Sequence, residues 1–207
     1  MNVDVASETD TRPPVSIAGA VVSTEPFPHA ALAGCIDTAE ALRLLAWFDS
    51  GAPWHLVETD FYEQFEFCLW DTAAEAGNLI SPATLRNLRA EMASAFGVQF
   101  EERVNVVAHK LTPGQRIAIH NDYLVGEETH RLIVQLNRGL HDDDGGLLLT
   151  FNSDNARDVR EIFRPVHRSG FAFAISPRSF HAISKMHRSV RYTLIFSFYC
   201  VDGCRAK

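Results

Sequence analysis

The sequence predicts an α+β, mainly β fold in which helices in the front half support a β-rich back half. Three observations carry this prediction. Two helical periodicities precede residue 97, seven short apolar or alternating segments lie between residues 101 and 200, and turn residues separate those segments. Many short strands within about a hundred residues are typical of a sandwich or a barrel-like jelly roll.

The length and the texture of the chain indicate one domain. A chain of 207 residues can bury a substantial core. Residues 1–24 are polar and lack a sustained period, so we expect a poorly ordered segment there. We assign residues 25–207 to a single domain, with helical support at 25–97 and a β core at 98–201.

The first predicted helix follows the stretch "EPFPHAAL". Asp37 with Glu40 three residues later fits a capping box, and Gly51 is a plausible C-terminal stop. The predicted apolar stripe of this helix consists of Leu42, Leu45, Ala46 and Phe48. The next segment, "FYEQFEFCLW", alternates with period two and is interpreted as a strand, with a helix as the alternative.

A second helix is predicted from Ser81, which serves as the N-cap, with Pro82 at the first helical position. Its apolar face is formed by Leu85, Leu88 and Met92, and Gly97 ends it. The seven strands that follow are "ERVNVVAHKL", "RIAIHND", "HRLIVQLN", "GGLLLTFN", "EIFRPV", "GFAFAIS" and "RYTLIFSFYC".

Charge and composition exclude several classes of protein. The net charge of −7 argues against a nucleic-acid binder. The charge is uneven, since residues 1–150 carry 9 basic and 22 acidic side chains, and residues 151–207 carry 10 and 4. No apolar run is long enough to cross a bilayer, and the N-terminus lacks the features of a secretion signal. We therefore expect a cytoplasmic protein without a membrane partner, whose four cysteines, including Cys200 and Cys204, are reduced.

One short stretch, "RIAIHNDYL", contains a candidate metal-binding pair. His120 and Asp122 lie two residues apart at a predicted strand end, so their side chains share a face. The pair alone is weak evidence, because His141 and Asp143 show the same spacing in "GLHDDDGG". That second pair lies at a predicted loop tip, where side chains are held less rigidly, and we disfavour it as a ligand set.

A third ligand is expected from a later strand. Of the candidates His167, His181 and His187, we favour His181, because it follows the strand "GFAFAIS" and a turn at Pro177. His167 and His187 are expected at the surface. Two histidines and one carboxylate on one face of an octahedral Fe(II) would leave three positions for substrate and oxygen.

A basic residue strengthens this hypothesis. Arg191 stands ten residues after His181 and opens the last predicted strand. A buried arginine needs an anion, and its planar fork suits a carboxylate. Thr193 faces the same side and can donate a hydroxyl to that carboxylate.

Together these segments resemble the Fe(II)/2-oxoglutarate-dependent oxygenases, in particular their prolyl-4-hydroxylase-like branch, over residues 105–200. The resemblance rests on "HKLTPGQRIAIHND", on "RLIVQLNRGLHDDDGGLLLTF" and on "GFAFAISPRSFHAISKMHRSVRYTLIFSFY". It implies a double-stranded β-helix, a jelly-roll or cupin-like fold, with supporting N-terminal helices. It also implies Fe(II) as the metal, and 2-oxoglutarate and O2 as co-substrates.

The resemblance assigns roles to individual residues. His120, Asp122 and His181 would bind the iron, Arg191 with Thr193 would hold the far carboxylate of 2-oxoglutarate, and Gln135 stands where related enzymes often have a tyrosine that touches it. No catalytic residue beyond the metal centre is implied. Because the carboxylate of Asp122 is present, hydroxylation is favoured over halogenation.

The substrate stays open at this stage. The resemblance favours a residue within a peptide or protein, such as a ribosomal natural-product peptide. The alternatives are a free amino acid or small metabolite, and a non-catalytic metal- or peptide-binding module. Loops 123–130 and 137–145 are candidates for the rim of the site. The residues proposed as substrate contacts are Tyr123, Arg131, Arg178 and Arg188, although Arg131 can instead brace the barrel and the other two arginines can be solvated.

Overall fold

The computed structural model describes residues 13–201. Its strands are β1 (His29–Leu32), β2 (His55–Glu58), β3 (Glu63–Cys68), β4 (Phe100–Leu111), β5 (Ile117–His120), β6 (His130–Gln135), β7 (Leu148–Phe151), β8 (Val159–Phe163), β9 (Gly170–Ala174), β10 (His181–Ile183) and β11 (Arg191–Cys200). Its α-helices are α1 (Thr38–Ser50), α2 (Ala73–Ala76) and α3 (Pro82–Phe96). Short 3-10 turns span Leu69–Thr72, Gly77–Ile80 and Asp142–Asp144.

The strands form two antiparallel sheets. The major sheet has the order β1-β9-β6-β11-β4-β3-β2, and the minor sheet has the order β5-β10-β7-β8. From β4 onward the chain contributes four strands to each sheet. The mainly β prediction is therefore confirmed, and all seven strands predicted after residue 100 are present as β4–β9 and β11.

Three strands escaped the sequence analysis. β1 lies in the segment that was expected to lead into a helix, and it pairs with β9 instead. β2 is mostly exposed and pairs with β3. β10 has only three residues, and its pairing with both β5 and β7 compensates for its short length. Strands this short carry too few residues to show a period.

The predicted ends of α1 are confirmed, but its capping box is incomplete, because Glu40 pairs with Arg43 and does not return to the Asp37 N–H. Its predicted apolar stripe was wrong for Leu42 and Ala46, which are exposed. The Asp37 carboxylate accepts hydrogen bonds from the backbone N–H groups of Ala39 and Glu40, at 2.8 and 3.1 Å. The buried residues of α1 are Ala41, Leu44 and Phe48, whereas Leu42 is 41% exposed. These buried residues are spaced three and four positions apart and form one face of the helix, whereas the predicted stripe combined residues of two faces.

Helix α3 agrees with the prediction throughout. The Ser81 hydroxyl accepts a hydrogen bond from the Thr84 N–H at 3.2 Å, and Pro82 occupies the first turn. The predicted face is buried, and Gly97 ends the helix with a left-handed φ of 67°. A side chain with a Cβ rarely adopts that conformation, which explains the glycine.

The expectation of poor order was wrong for residues 13–24. Val15 and Ile17 are buried, and Val15 forms a β-bridge with Ile36. The Glu91 carboxylate accepts a hydrogen bond from the Ile17 N–H at 2.6 Å. This segment therefore packs on the domain, while residues 1–12 lie outside the described residues, as does Cys204.

Two apolar cores position the site. The larger core joins α1 and α3 to the outer face of the major sheet, and includes Leu44, Phe48, Met92 and Phe196. The smaller core fills the space between the sheets with residues such as Phe173. Between residues 13 and 201, no helix is long and apolar enough to cross a membrane.

Candidate metal centre

The structure brings His120, Asp122 and His181 together. His120 is the last residue of β5, and β10 pairs antiparallel with β5 so that His181 lies opposite His120. The imidazole centroids are 4.2 Å apart. The Asp122 carboxylate lies 3.3 Å from His120 Nε2 and 3.1 Å from His181 Nε2. Within residues 13–201 this is the one group of three ligand side chains whose donor atoms lie within 4.8 Å of one another.

Both histidines are oriented for metal binding by backbone carbonyls. His120 Nδ1 lies 2.9 Å from the carbonyl oxygen of Ala118, and His181 Nδ1 lies 2.8 Å from that of Ser179. A carbonyl can only accept, so each Nδ1 carries the proton and donates it. Each Nε2 then keeps a free lone pair directed toward Asp122, which is the arrangement that metal-binding histidines use.

An arginine holds the carboxylate in place. Arg131 Nη1 donates to Asp122 Oδ2 at 2.6 Å, and the other side of the guanidinium pairs with Glu128. Burial raises the pKa of Asp122, but the positive charge of Arg131 and the contacts with His120 and His181 together outweigh it, and this pKa lies well below its usual range. For Arg131, burial lowers the pKa while the carboxylates of Asp122 and Glu128 raise it, and the net shift is upward.

The guanidinium of Arg191 is buried without an anion. Arg191 is 3% exposed, and its Nε and Nη2 have no hydrogen-bond partner among residues 13–201. Its Nη1 lies 3.5 Å from Thr193 Oγ1. Burial lowers the pKa of Arg191 to about 10, so the side chain stays charged at neutral pH. An unpaired buried charge is costly, and a bound carboxylate would remove that cost.

The side chain of Arg191 runs over a glycine. A Cβ on Gly146 would lie 2.8 Å from Arg191 Cδ and 2.6 Å from Met186 Sδ. Gly146 also has a φ of +70°. The absence of a side chain at this position therefore gives the guanidinium its path into the interior.

These groups share one cavity of about 560 Å³, the ligand cavity. Its polar lining includes the three candidate metal ligands together with Arg131, Arg191, Thr193, Tyr62, Gln64, Glu66, His109, Asn121 and Glu128. Its apolar lining includes Phe61, Leu124, Ile133, Phe180, Ile183 and Ile195. The ring of Phe61 lies 5.4 Å from that of His120.

The candidate substrate contacts divide into two groups. Tyr123 and Arg131 line the ligand cavity, and Arg131 holds the carboxylate of Asp122, a contact that the sequence did not predict. Arg178 and Arg188 do not line it. Arg188 is 65% exposed and lies 3.7 Å from the carboxylates of Asp143 and Asp144, so the rim role expected for it was wrong. Arg178 is exposed and contacts Ser176 through its backbone.

Gln135 is buried but does not line the ligand cavity, contrary to the expectation of a co-substrate contact. It borders a neighbouring cavity of about 680 Å³, and its Oε1 accepts a hydrogen bond from Asn137 Nδ2 at 3.1 Å. Of the two loops expected at the rim, 123–130 contributes Tyr123, Leu124 and Glu128. Loop 137–145 borders other cavities.

The three other histidines that the sequence analysis considered as ligands lie outside the ligand cavity. His141 is exposed and precedes the 3-10 turn of the aspartate run. His187 is exposed, as expected. His167 is half-buried, and its two ring nitrogens are buried and lack hydrogen-bond partners in the described part of the chain.

The residues of the cavity wall that the sequence analysis missed include Tyr62, Gln64, Glu66 and His109. The first three alternate with the phenylalanines of "FYEQFEF". The alternation that predicted the strand therefore also marked its polar face, although it gave no reason to place that face in a cavity. Nothing in the sequence distinguished His109 from the other histidines.

Comparisons with known proteins agree on the fold. No protein-family model matches the sequence, and no curated protein sequence matches it. The structure is similar to a prolyl-4-hydroxylase from Pseudomonas putida, with a TM-score of 0.67, 20% identity, and coverage of 86% of this chain and 92% of that one. It is also similar to a 2OG-Fe(II) oxygenase family oxidoreductase from Burkholderia pseudomallei, with a TM-score of 0.63, 14% identity and coverage of 86% and 88%.

A third similar structure is a prolyl hydroxylase from Trichoplax adhaerens in complex with a peptide fragment of hypoxia inducible factor. Its TM-score is 0.63 at 11% identity, with 83% of each chain covered. The chain therefore has the fold of the prolyl-4-hydroxylases and 2OG-Fe(II) oxygenases, as the sequence resemblance implied.

Proposed function

We propose that this protein is an Fe(II)- and 2-oxoglutarate-dependent dioxygenase that hydroxylates an unactivated C–H bond, and that β4–β11 form its double-stranded β-helix. The observation that carries the proposal is the buried, unpaired guanidinium of Arg191 in the same cavity as His120, Asp122 and His181. The three ligands fit Fe(II), and the guanidinium fits the far carboxylate of 2-oxoglutarate. A non-catalytic module would have no need of both features.

Each residue then has a defined task. Bound Fe(II), with 2-oxoglutarate and O2, supplies the oxidising chemistry that converts C–H to C–OH and releases succinate and CO2. His120, Asp122 and His181 would hold the metal, and all three line the ligand cavity. Arg191 and Thr193 bind the distal carboxylate. Arg131 keeps Asp122 ionised and fixes its orientation.

The apolar wall of the cavity positions the substrate and excludes water. Phe61 and Ile133 line the cavity with the candidate ligands, and Leu124 is 67% exposed beside them. A dry site with a fixed C–H bond near the metal protects the oxidising chemistry from side reactions.

We place the oxidised carbon in a residue of a peptide or protein. Two features support this. The loop containing Leu124 and Val125 exposes both apolar side chains next to the cavity, which offers a surface for a chain longer than one amino acid. The similar prolyl hydroxylase from Trichoplax adhaerens binds a peptide fragment.

Mass spectrometry tests the proposal directly. Peptides and free amino acids are incubated with the protein, Fe(II), 2-oxoglutarate and O2, and succinate is measured in parallel. We expect one added oxygen atom on a peptide together with succinate. If no substrate gains oxygen and no succinate forms even without substrate, the dioxygenase assignment is wrong. Oxygen added to free amino acids alone would contradict the peptide assignment.

A further inference from the structure

The wall of the ligand cavity formed by β3 presents two hydrogen-bond acceptors. Gln64 and Glu66 lie two residues apart on this strand, so their side chains share a face. β3 pairs with β4 so that Glu66 lies opposite His109, and His109 lies opposite Thr193 of β11. Gln64, Glu66, His109 and Thr193 all line the ligand cavity.

The amide of Gln64 has one satisfied end and one unsatisfied end. Its Nε2 donates to Glu66 Oε2 at 2.8 Å, and because a carboxylate accepts, this contact fixes which end is the nitrogen. The other end, Oε1, is buried and has no hydrogen-bond partner among residues 13–201. Gln64 is 3% exposed. A buried acceptor without a partner is unfavourable, so this position is suited to a donor from a ligand.

The charge of Glu66 is also unmatched. Its one ion-pair neighbour among residues 13–201 is His109, whose Nε2 lies 3.7 Å from Glu66 Oε2. Burial, with the charges of Arg131 and Arg191, lowers the pKa of His109 to about 3, so this ring is neutral at pH 7. Asp122 and Glu128 are already paired with Arg131. In the described part of the chain, Glu66 is the carboxylate of this cavity that has no cationic partner.

A tyrosine links this wall to the metal centre. Tyr62 lines the ligand cavity together with Glu66 and Asp122, and burial and these two carboxylates raise the pKa of its phenol. The segment before β3 is tied to the strand of His120, because Phe61 accepts a hydrogen bond from the Ala118 N–H at 3.0 Å. A group bound at Gln64 and Glu66 is therefore held next to the oxidation site.

We infer that Gln64 and Glu66 bind a protonated nitrogen of the substrate, an ammonium or a guanidinium group. This inference rests on the proposed function and names the substrate class of the same site. A cationic nitrogen carries several N–H donors, so it satisfies the Gln64 carbonyl and the Glu66 carboxylate together. Phe61, Ile133 and Ile195 would contact the attached carbon chain. A neutral prolyl side chain would leave both acceptors unpaired.

The binding test uses small cations and needs no turnover. Butylammonium and propylguanidinium are compared with neutral butanamide by proton NMR on protein loaded with Mn(II) and 2-oxoglutarate, in which the metal broadens the signals of a nearby probe. We expect the cations to bind at least about tenfold more tightly than the amide. Equal affinities in the unmodified protein would overturn the inference.

Two variants with the same change in net charge locate the site. Glu66→Gln removes the charge inside the cavity, whereas Glu58→Gln removes one from exposed β2 of the same hairpin. The preference for cations should persist in Glu58→Gln and should fall about tenfold or more in Glu66→Gln. A preference that persists in Glu66→Gln would overturn the inference.

Calorimetry on metal-free protein separates this inference from the proposed function. If the protein prefers cations but binds neither Mn(II) nor 2-oxoglutarate, the dioxygenase assignment is wrong and the cation site stands. If it binds Mn(II) and 2-oxoglutarate but shows no preference for cations, the dioxygenase assignment stands and the cation site is wrong.

A turnover assay identifies the source of the nitrogen. Peptides with one lysine or arginine, the free amino acids, and neutral acetyl-lysine or citrulline counterparts are compared for oxygen addition. Oxidation of the charged residue within a peptide identifies a basic side chain, and oxidation of the free amino acids alone identifies the α-amino group. Among the peptides, equal oxidation of the neutral counterparts would overturn the inference.

Discussion

Arg131 Nη1 lies 2.6 Å from Asp122 Oδ2, so a guanidinium forms a hydrogen-bonded ion pair with the carboxylate of the candidate metal centre. The two residues are nine positions apart in sequence, and the strand β6 brings them together. The same guanidinium is held by Glu128, which limits its movement. The carboxylate of Asp122 is therefore fixed before a metal binds.

Removal of this brace should weaken metal binding. In Arg131→Met, Asp122 loses its partner and its fixed orientation, and we expect a loss of metal affinity of about 10–100-fold. Anaerobic titration with Fe(II), or with Co(II) followed by its visible absorption, measures the change. Glu128→Gln keeps Arg131 and should have a smaller effect. Equal losses in both variants would show that Arg131 acts only through the local charge balance.

The metal ligands themselves give a stronger test. His120→Ala and Asp122→Ala should each abolish metal-dependent succinate formation and stoichiometric metal binding, because two ligands do not hold an open octahedral site. His141→Ala changes an exposed histidine of the competing motif and should bind metal like the unmodified protein. Loss of the metal in His141→Ala would show that the wrong pair was chosen.

Arg191→Met should separate stability from co-substrate binding. The substitution replaces a buried unpaired charge with an apolar side chain, so the free energy of unfolding of the ligand-free protein should rise by about 1–3 kcal/mol. At a 2-oxoglutarate concentration 100 times Kd, the free energy of unfolding of the unmodified protein should rise by about 2.7 kcal/mol. That of the variant should not change. Urea unfolding with and without 2-oxoglutarate measures both effects. A variant that is still stabilised by 2-oxoglutarate would contradict the role of Arg191.

Gly146→Ala should disturb Arg191 without changing it. The added Cβ would lie 2.8 Å from Arg191 Cδ, and we expect at least about a tenfold loss of 2-oxoglutarate affinity from the displaced guanidinium. Gly114→Ala is the matched control, because Gly114 also has a positive φ, of +98°, but a Cβ there meets nothing within 4 Å. Both variants place an alanine at a positive φ, so they share the backbone strain. The difference between their 2-oxoglutarate affinities, measured by calorimetry, therefore reports the clash with Arg191.

Acid should destabilise the protein through His130. Burial lowers the pKa of His130 from 6.5 to about 4, so below pH 6.5 the unfolded chain takes up the proton first. The stability contributed by the neutral ring is complete above pH 6.5 and is lost as the pH falls toward 4. His130→Phe should reduce this loss by about 1–3 kcal/mol. Urea unfolding of metal-free protein at pH 7 and pH 5 measures it.

The exposed His187 provides the control for that measurement. His187→Gln removes an exposed histidine in place of the buried one and should leave the pH dependence of stability unchanged. If His130→Phe loses as much stability on acidification as the unmodified protein, another group causes the loss.

Local patterns were sufficient for much of the fold. The capping residues Asp37 and Ser81 and the stops at Gly51 and Gly97 fixed both long helices, because caps act through hydrogen bonds within a few residues. The period-two alternation identified β3. The pattern did not determine which face of α1 is buried, since that depends on the sheet against which the helix packs.

The sequence by itself predicted the candidate ligand residues and the arginine that fits a carboxylate. Their spacing and order along the chain are local properties, and the structure brings His120, Asp122 and His181 together as expected. Tertiary structure alone decided what surrounds them. Strand register and burial decide whether Arg131 braces Asp122 and whether Gln135 reaches the ligand cavity. They also decide whether Glu66 faces a neutral histidine. Pairing between distant strands sets those properties, and no single segment of the sequence contains them.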